Sequence, residues 1–190
     1  MTYSVFFDVL PKKGFADAYF GMASGLKPIV EKSSGFISVE RFENLGKANW
    51  YLSHSQWADE HALSSWRCQH DHHEAQVCGR NLVLEDYRLR VGCLVPINQA
   101  LNKKAVIALV GDFSEAQEFA NRAQINMNRL PMLFKGIINP KRGIALLNAE
   151  IEDTDLVNFI ISQQFINIGV YEVQRDYGMF DRAQAPGVFA

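Results

Sequence analysis

Along this 190-residue chain the apolar residues switch between the two-residue period of a strand and the 3.6-residue period of a helix, in the order strand, helix, strand, strand, helix, strand, and that order occurs twice. Residues 5–10 are an apolar run ended by Pro11, a strand with a turn behind it. Phe15, Ala18, Tyr19, Met22, Leu26, Ile29 and Val30 recur at three- and four-residue steps, which predicts an amphipathic helix. Residues 36–42 alternate, 44–47 supply a turn and 50–54 return, so a hairpin follows. A second helix is expected over 59–78, closed by Gly79, and residues 83–95 make a fourth strand.

After a polar linker at 96–103 the order repeats, with a strand at 105–110 and a helix from a Ser114 cap to Met127. Strands at 133–138 and 144–147 join across 139–143, a helix starts at Asp153 or Thr154 and runs to Phe165, and residues 169–173 are the last strand. Each unit is an antiparallel four-stranded sheet with both helices on one face, so its other face is bare, and packing the two bare faces together is the natural solution. The expected organisation is an α+β chain with domains at 1–96 and 104–180 forming an intramolecular pseudo-dimer, and a tail at 181–190. The exposed helices and that tail could mediate a homodimer as well.

Composition narrows the function classes. A formal charge of -2 with 48% hydrophobic and 21% charged residues points to neither nucleic acid nor a membrane surface. No apolar run reaches the roughly 20 residues that span a bilayer, and no basic region precedes the first apolar residues, so a cytoplasmic protein is expected. Three cysteines, at 68, 78 and 93, do not make a disulfide framework.

Candidate chemistry is concentrated at residues 61–80, which hold four of the five histidines, two of the three cysteines and Trp66. A zincin is excluded, because Val77 stands where the second histidine of H-E-x-x-H should follow His73 and Glu74. Cys68 with His72, or His70 with His73, would give two ligands only, short of what a zinc site needs, so no metal is expected. On a continuous helix Leu63, Trp66, His70, His73 and Val77 share one stripe, and Cys68, His72, Gln76 and Arg80 another. The second half carries no histidine, cysteine or tryptophan at 104–177, which makes it a scaffold with Tyr171 or a carboxylate as its sole acid–base candidates.

Four blocks carry a resemblance: Gly35 to Phe42 followed by Trp50-Tyr51-Leu52-Ser53; Trp57, Asp59, Glu60, Ala62, Leu63, Trp66 and Arg67; Asp71, His72, Ala75, Gln76, Gly79 and Arg80; and Asp86 to Val91. Together they are similar, in order, to the antibiotic biosynthesis monooxygenase family over residues 2–95. The resemblance implies two tandem ferredoxin-like βαββαβ domains paired sheet to sheet as a dimeric α+β barrel, the second half a degenerate copy. It also implies a pocket between sheet and helices, and oxidation of a small aromatic or quinol-type molecule by O2 without metal, flavin or other cofactor. A small-ligand carrier or sensor on the same fold is the alternative. A haem-degrading branch uses a histidine ten residues after the helix tryptophan; here that residue is Gln76, a poor axial ligand, and the first strand reads Phe6-Phe7-Asp8 where that branch has an asparagine.

Cofactor-free oxygenation needs a dry pocket, a base and donors for oxyanion charge. Trp66, His70 or His72, Tyr51 and His54 are the candidate catalytic residues: Trp66 and Tyr51 are expected to line the pocket and His72 or His70 to move the proton, His54 is either a feature particular to this chain or a rim residue, and Arg41 or Arg88 would meet an anion. Arg88 and Arg90 alternate with Tyr87 and Leu89, so both arginines should face the partner sheet and meet acids such as Glu40 or Glu172.

Overall fold

The computed structural model describes residues 1–96, 104–149, 154–162 and 165–187. The first half contains β1 (Tyr3–Pro11), α1 (Ala16–Val30), β2 (Phe36–Asn44), β3 (Tyr51–Trp57), α2 (Glu60–Arg67), α3 (His70–Cys78) and β4 (Leu84–Val95). The second contains β5 (Ala105–Asp112), α4 (Phe113–Met127), β6 (Met132–Gly136), β7 (Arg142–Ala149), α5 (Thr154–Ser162) and β8 (Ile168–Gly178). The linker residues 97–103 and Asp153 lie outside the described residues.

All eight strands join one closed antiparallel barrel in the order β1-β3-β2-β6-β7-β5-β8-β4. Each half supplies the same arrangement, β4-β1-β3-β2 and β8-β5-β7-β6, as expected of two ferredoxin-like sheets facing each other. The β2–β6 seam is short, running from Phe42 opposite Gly136 to Asn44 opposite Phe134. The β4–β8 seam is long, from Arg88 opposite Gly178 to Val95 opposite Val170. Closure gives every strand of the barrel two neighbours.

Strand alternation divides the side chains between two environments. Inward residues of both halves, Phe6, Phe42, Leu52, Val106, Phe134, Ile144, Leu146 and Tyr171, form one core inside the barrel. Outward residues of the second half pack beneath α4 and α5, where Phe119, Phe159 and Phe165 fill the layer. Those of the first half pack beneath α1 and α2 around Val5, Trp57, Trp66 and Val91. The chain enters β2 through Gly35, at φ +74°, where an added Cβ would lie 2.5 Å from the Ala62 Cβ of α2. Glycine lets strand and helix close to contact.

Arg88 and Arg90 do face the barrel, but their partners are not Glu40 or Glu172. Arg90, 1% exposed, meets Asp8 at 2.6 Å and Asn148 at 2.7 Å, and Arg88 forks onto Asp176 at 2.9 and 2.7 Å. Glu40 takes Arg142 instead, at 3.0 and 2.8 Å, and so ties β2 to β7 across the seam. Tyr171 is buried in the barrel core and not in a second-half pocket.

Three local expectations fail. The helix over 59–78 is two helices, because Gln69 is extended (φ -64°, ψ 136°) and its side-chain oxygen accepts from His72 N at 2.7 Å, starting α3 afresh. Gly79 does not end α3 in a left-handed turn; its φ is -54°, and residues Gly79–Val83 wind on as one π-turn into β4. Ser114 is inside α4, whose N-cap is Asp112 with no side-chain capping bond.

Candidate functional site

A cavity of about 320 Å3 lies between the outer wall of the first-half sheet, the helices α1, α2 and α3, and the returning tail. Its floor is laid out by strand register. One row runs Arg41, Ser53, Phe7, Leu89, Tyr177; the next runs Val39, Ser55, Val5, Val91, Arg175; Trp57 closes the floor beyond them. The two rows share a face because each residue is two positions along its own strand from its counterpart in the other row.

The roof is built from helical periodicity. Tyr19, Met22, Ala23, Leu26 and Val30 of α1 look down on the floor at three- and four-residue steps. Leu63 and Trp66 of α2 plug one end, and Trp66 stacks over Trp57 with ring centroids 6.2 Å apart. The kink at Gln69 then brings His72 of α3 nearly parallel to Trp66, centroids 4.4 Å apart and planes inclined by 16°. A straight helix could not do this, since residues six apart on it do not face each other.

His72 Nδ1 lies 3.0 Å from the Trp66 carbonyl oxygen, an acceptor that calls for a hydrogen on Nδ1, while the Gln76 amide nitrogen, a donor, calls for a lone pair on the same atom. Burial pushes the His72 pKa down to about 4, against a weaker upward pull from that carbonyl bond. The imidazole is neutral at ordinary pH and able to accept a proton. Gln76, at the position where haem-degrading relatives carry histidine, has its amide nitrogen 3.1 Å from His72 Nδ1 and 3.4 Å from the Arg67 carbonyl. Among the described residues no cluster of three or more His, Cys, Asp or Glu side chains could hold a metal.

Trp66, His72 and Arg41 therefore line one cavity, and the other candidates do not. His70 is on the surface, 79% exposed, beside Glu74 at 3.8 Å. His54 points into the barrel, 2% exposed, stacked on Phe6 at 5.0 Å, with Nε2 3.4 Å from Ser4 Oγ. It is neither at a rim nor near Trp66; burial pushes its pKa down to about 4. Tyr51 is on the cavity side of β3 but one row beyond the floor, packed edge-on against Phe20 at 4.9 Å. Arg88, its side chain about half exposed, is committed to Asp176.

Several lining residues escaped the sequence reading. Ser53 and Ser55 follow from the alternation of β3 and were legible. Arg175 and Tyr177 belong to β8, and Arg182, Pro186 and Gly187 to the tail, so the second half completes the first half's cavity. The tail is held there by Arg182 Nη1 donating to the Tyr87 hydroxyl at 2.6 Å, Arg67 Nη1 donating to the Gly187 carbonyl at 3.1 Å, and Asp176 N donating to Gln184 Oε1 at 2.8 Å. Residues 181–187 thus pack against their own chain.

A closed α+β barrel of two ferredoxin-like halves, with an apolar cavity under the helices of one, defines the structural class of this chain. The profile of the antibiotic biosynthesis monooxygenase family matches residues 2–77. A relative from Pyricularia oryzae, named jasmonate monooxygenase ABM, is 31% identical over 207 aligned positions, covering 97% of this chain and 96% of the relative. The chain belongs to the antibiotic biosynthesis monooxygenase family. Among solved structures it is similar to a Mycobacterium tuberculosis protein (14% identity, 53% of this chain and 99% of that one, TM-score 0.45) and to an antibiotic biosynthesis monooxygenase (13%, 50% and 99%, TM-score 0.44).

Proposed function

We propose that the protein is a monooxygenase that encloses a small, largely apolar molecule in the first-half cavity and oxidises it with O2. The observation that carries this reading is the Trp66–His72 stack at the cavity wall, an aromatic platform joined to a neutral imidazole held against a backbone carbonyl. Trp66 and Trp57 would hold a flat or unsaturated group by ring contact, and His72 Nε2 would accept the proton that ionises it. A base with a pKa near 4 takes a phenolic proton only as far as the developing anion stabilises the imidazolium, so the enclosed cavity matters.

The electron balance divides the candidate substrates. A phenol or quinol-type molecule supplies its own electrons: a ring C–H carbon ortho or para to the hydroxyl becomes C=O, the phenolic C–OH becomes C=O with it, and the second oxygen atom leaves as water with the two hydrogens. A jasmonate, the substrate in the relative's name, would need an external two-electron donor for hydroxylation, with water again formed from the second oxygen atom. The cofactor-free form of the reading therefore goes with the first class. We place the protein in the cytoplasm, where the free thiols of Cys68, Cys78 and Cys93 would stay reduced.

Oxygen uptake with a panel of quinols and with jasmonate plus a reduced nicotinamide decides the matter. We expect uptake above background with at least one substrate and a fall of about a hundredfold or more in His72→Ala. If nothing on the panel is consumed, or the substitution leaves the rate intact, the enzyme reading gives way to a carrier.

A further inference from the structure

Positive charge is gathered around this cavity against the balance of the whole chain. The protein has 19 Lys and Arg against 21 Asp and Glu, yet among the described residues lining the cavity Lys27, Arg41, Arg67, Arg80, Arg175 and Arg182 are cationic and none is acidic. Most of these have partners at the mouth: Lys27 pairs with Glu31, Arg175 with Glu60, Arg182 with Tyr87, and Arg67 with the tail carbonyl. Arg41 differs. It rises from β2 into the inner floor, where Nη2 donates to the Ala23 carbonyl at 3.2 Å and the guanidinium also bonds the Tyr19 side chain; its Nε is buried with no partner, as is that of Arg175, but Arg175 pairs with Glu60 whereas no carboxylate pairs with Arg41. Ser53 is its cross-strand neighbour, and the buried Tyr19 hydroxyl stands beside both.

A guanidinium with a buried, unanswered N–H and no counter-ion is costly, and a planar anion that accepts two parallel hydrogen bonds removes the cost. We propose that Arg41, with Tyr19 and Ser53, is the anchoring subsite for the carboxylate of the cavity's ligand, which makes that ligand an amphipathic organic acid. Strand geometry sets its length. Ser53 in the Arg41 row and Trp57 below Trp66 are four residues apart on β3, roughly 13 Å. The acid group is therefore held at one end, the chain lies over Val39, Val5 and Leu26, and the far end meets Trp66 and His72. This deepens the proposed function and rests on the same cavity.

The test is binding, read from the quenching of tryptophan fluorescence, with two probe pairs that differ in charge alone or nearly so: jasmonate against its methyl ester, and dodecanoate against 1-dodecanol. In the unmodified protein we expect at least one acid to bind about tenfold or more tightly than its neutral partner. Arg41→Met and Arg41→Gln should bring that acid down to its neutral partner's affinity and leave the neutral probe unchanged, whereas Arg41→Lys should keep part of the preference and Arg80→Ala all of it. Equal affinity within both pairs, absence of binding by either acid, or an acid preference that survives both uncharged variants overturns the subsite. The two proposals fail separately: acid binding through Arg41 with no oxygen uptake on any substrate retires the oxygenase and keeps the anchor. Turnover of a neutral quinol indifferent to Arg41 does the reverse.

Discussion

An imidazole stacked inside a hydrocarbon barrel cannot take up a proton without a large loss of hydration, and His54 is such a group. Its pKa falls from 6.5 to about 4, through burial first, with Glu40 pulling it up and Arg142 pushing it down. Because the unfolded chain takes the proton at about 6.5 and the folded one only near 4, stability is present above pH 6.5 and is lost as pH falls through that window, by up to about 3 kcal/mol. His72 titrates in the same window and adds to the loss, while Asp8, raised from 3.8 by burial, acts above that value with the opposite sign. Urea midpoints measured from pH 7 to 4 should therefore fall, and His54→Phe should flatten a substantial part of the slope; an unchanged slope would contradict the buried neutral state. His72 has a kinetic counterpart. If it is the base, kcat/KM keeps its value down to about pH 5 and drops through about pH 4, with no inflection near 6.5. At this scale the sequence held more than composition showed. Tyr51 and His54 are three apart on one strand and must face opposite ways, so they could not both serve the cavity of Trp66. The exposed position of His70, in contrast, depends on the break at Gln69, which no proline or glycine announces.

That break is what places α3 over the cavity. Its stabilising contact is the bond from His72 N to the Gln69 side chain, an N-cap interaction. Gln69→Ala should cost about 1 kcal/mol in thermal unfolding and, by loosening the Trp66–His72 stack, raise KM more than it lowers kcat. A Tm within half a degree of the parent, together with unchanged KM, would mean that the tertiary packing of α3 on α1 alone fixes the break. Gly35 has a similar role one element earlier. Gly35→Ala meets both a left-handed φ and the Ala62 methyl, and should destabilise by about 1–3 kcal/mol, measurable as a shifted denaturation midpoint at constant slope. The strands and α1 were readable because their apolar patterns are long and regular. Whether two helical turns join as one helix depends instead on what they pack against, and for residues 59–78 the local pattern allows both.

The barrel as a whole closes through unequal seams, three residue pairs between β2 and β6 against eight between β4 and β8. Duplicated topology in the sequence implied that two bare sheet faces would cover each other. It did not imply that β8 and the tail would furnish Arg175, Tyr177 and Arg182 to the first half's cavity, because seam register is set by packing between halves that share no local pattern. The interior explains why neither half suffices. Phe6, Phe42 and Leu52 are fully buried only because Phe134, Ile144 and Leu146 lie across from them. Uncovering one wall exposes these side chains at about 25 cal/mol per Å2 of apolar surface, together with the strand edges of both seams. Residues 1–96 expressed alone should therefore pair with a second copy, back face to back face, or precipitate. Sedimentation velocity at micromolar concentration reads the difference, and a soluble monomer with native strand content would show that the first half folds without its partner wall. In such a dimer the long β4–β8 seam has no native replacement for Arg175 and Tyr177, so the cavity loses part of its floor. A second prediction follows within the same experiment: any ligand held by the whole chain should bind the 1–96 dimer more weakly, even where Trp66, His72 and Arg41 are all present.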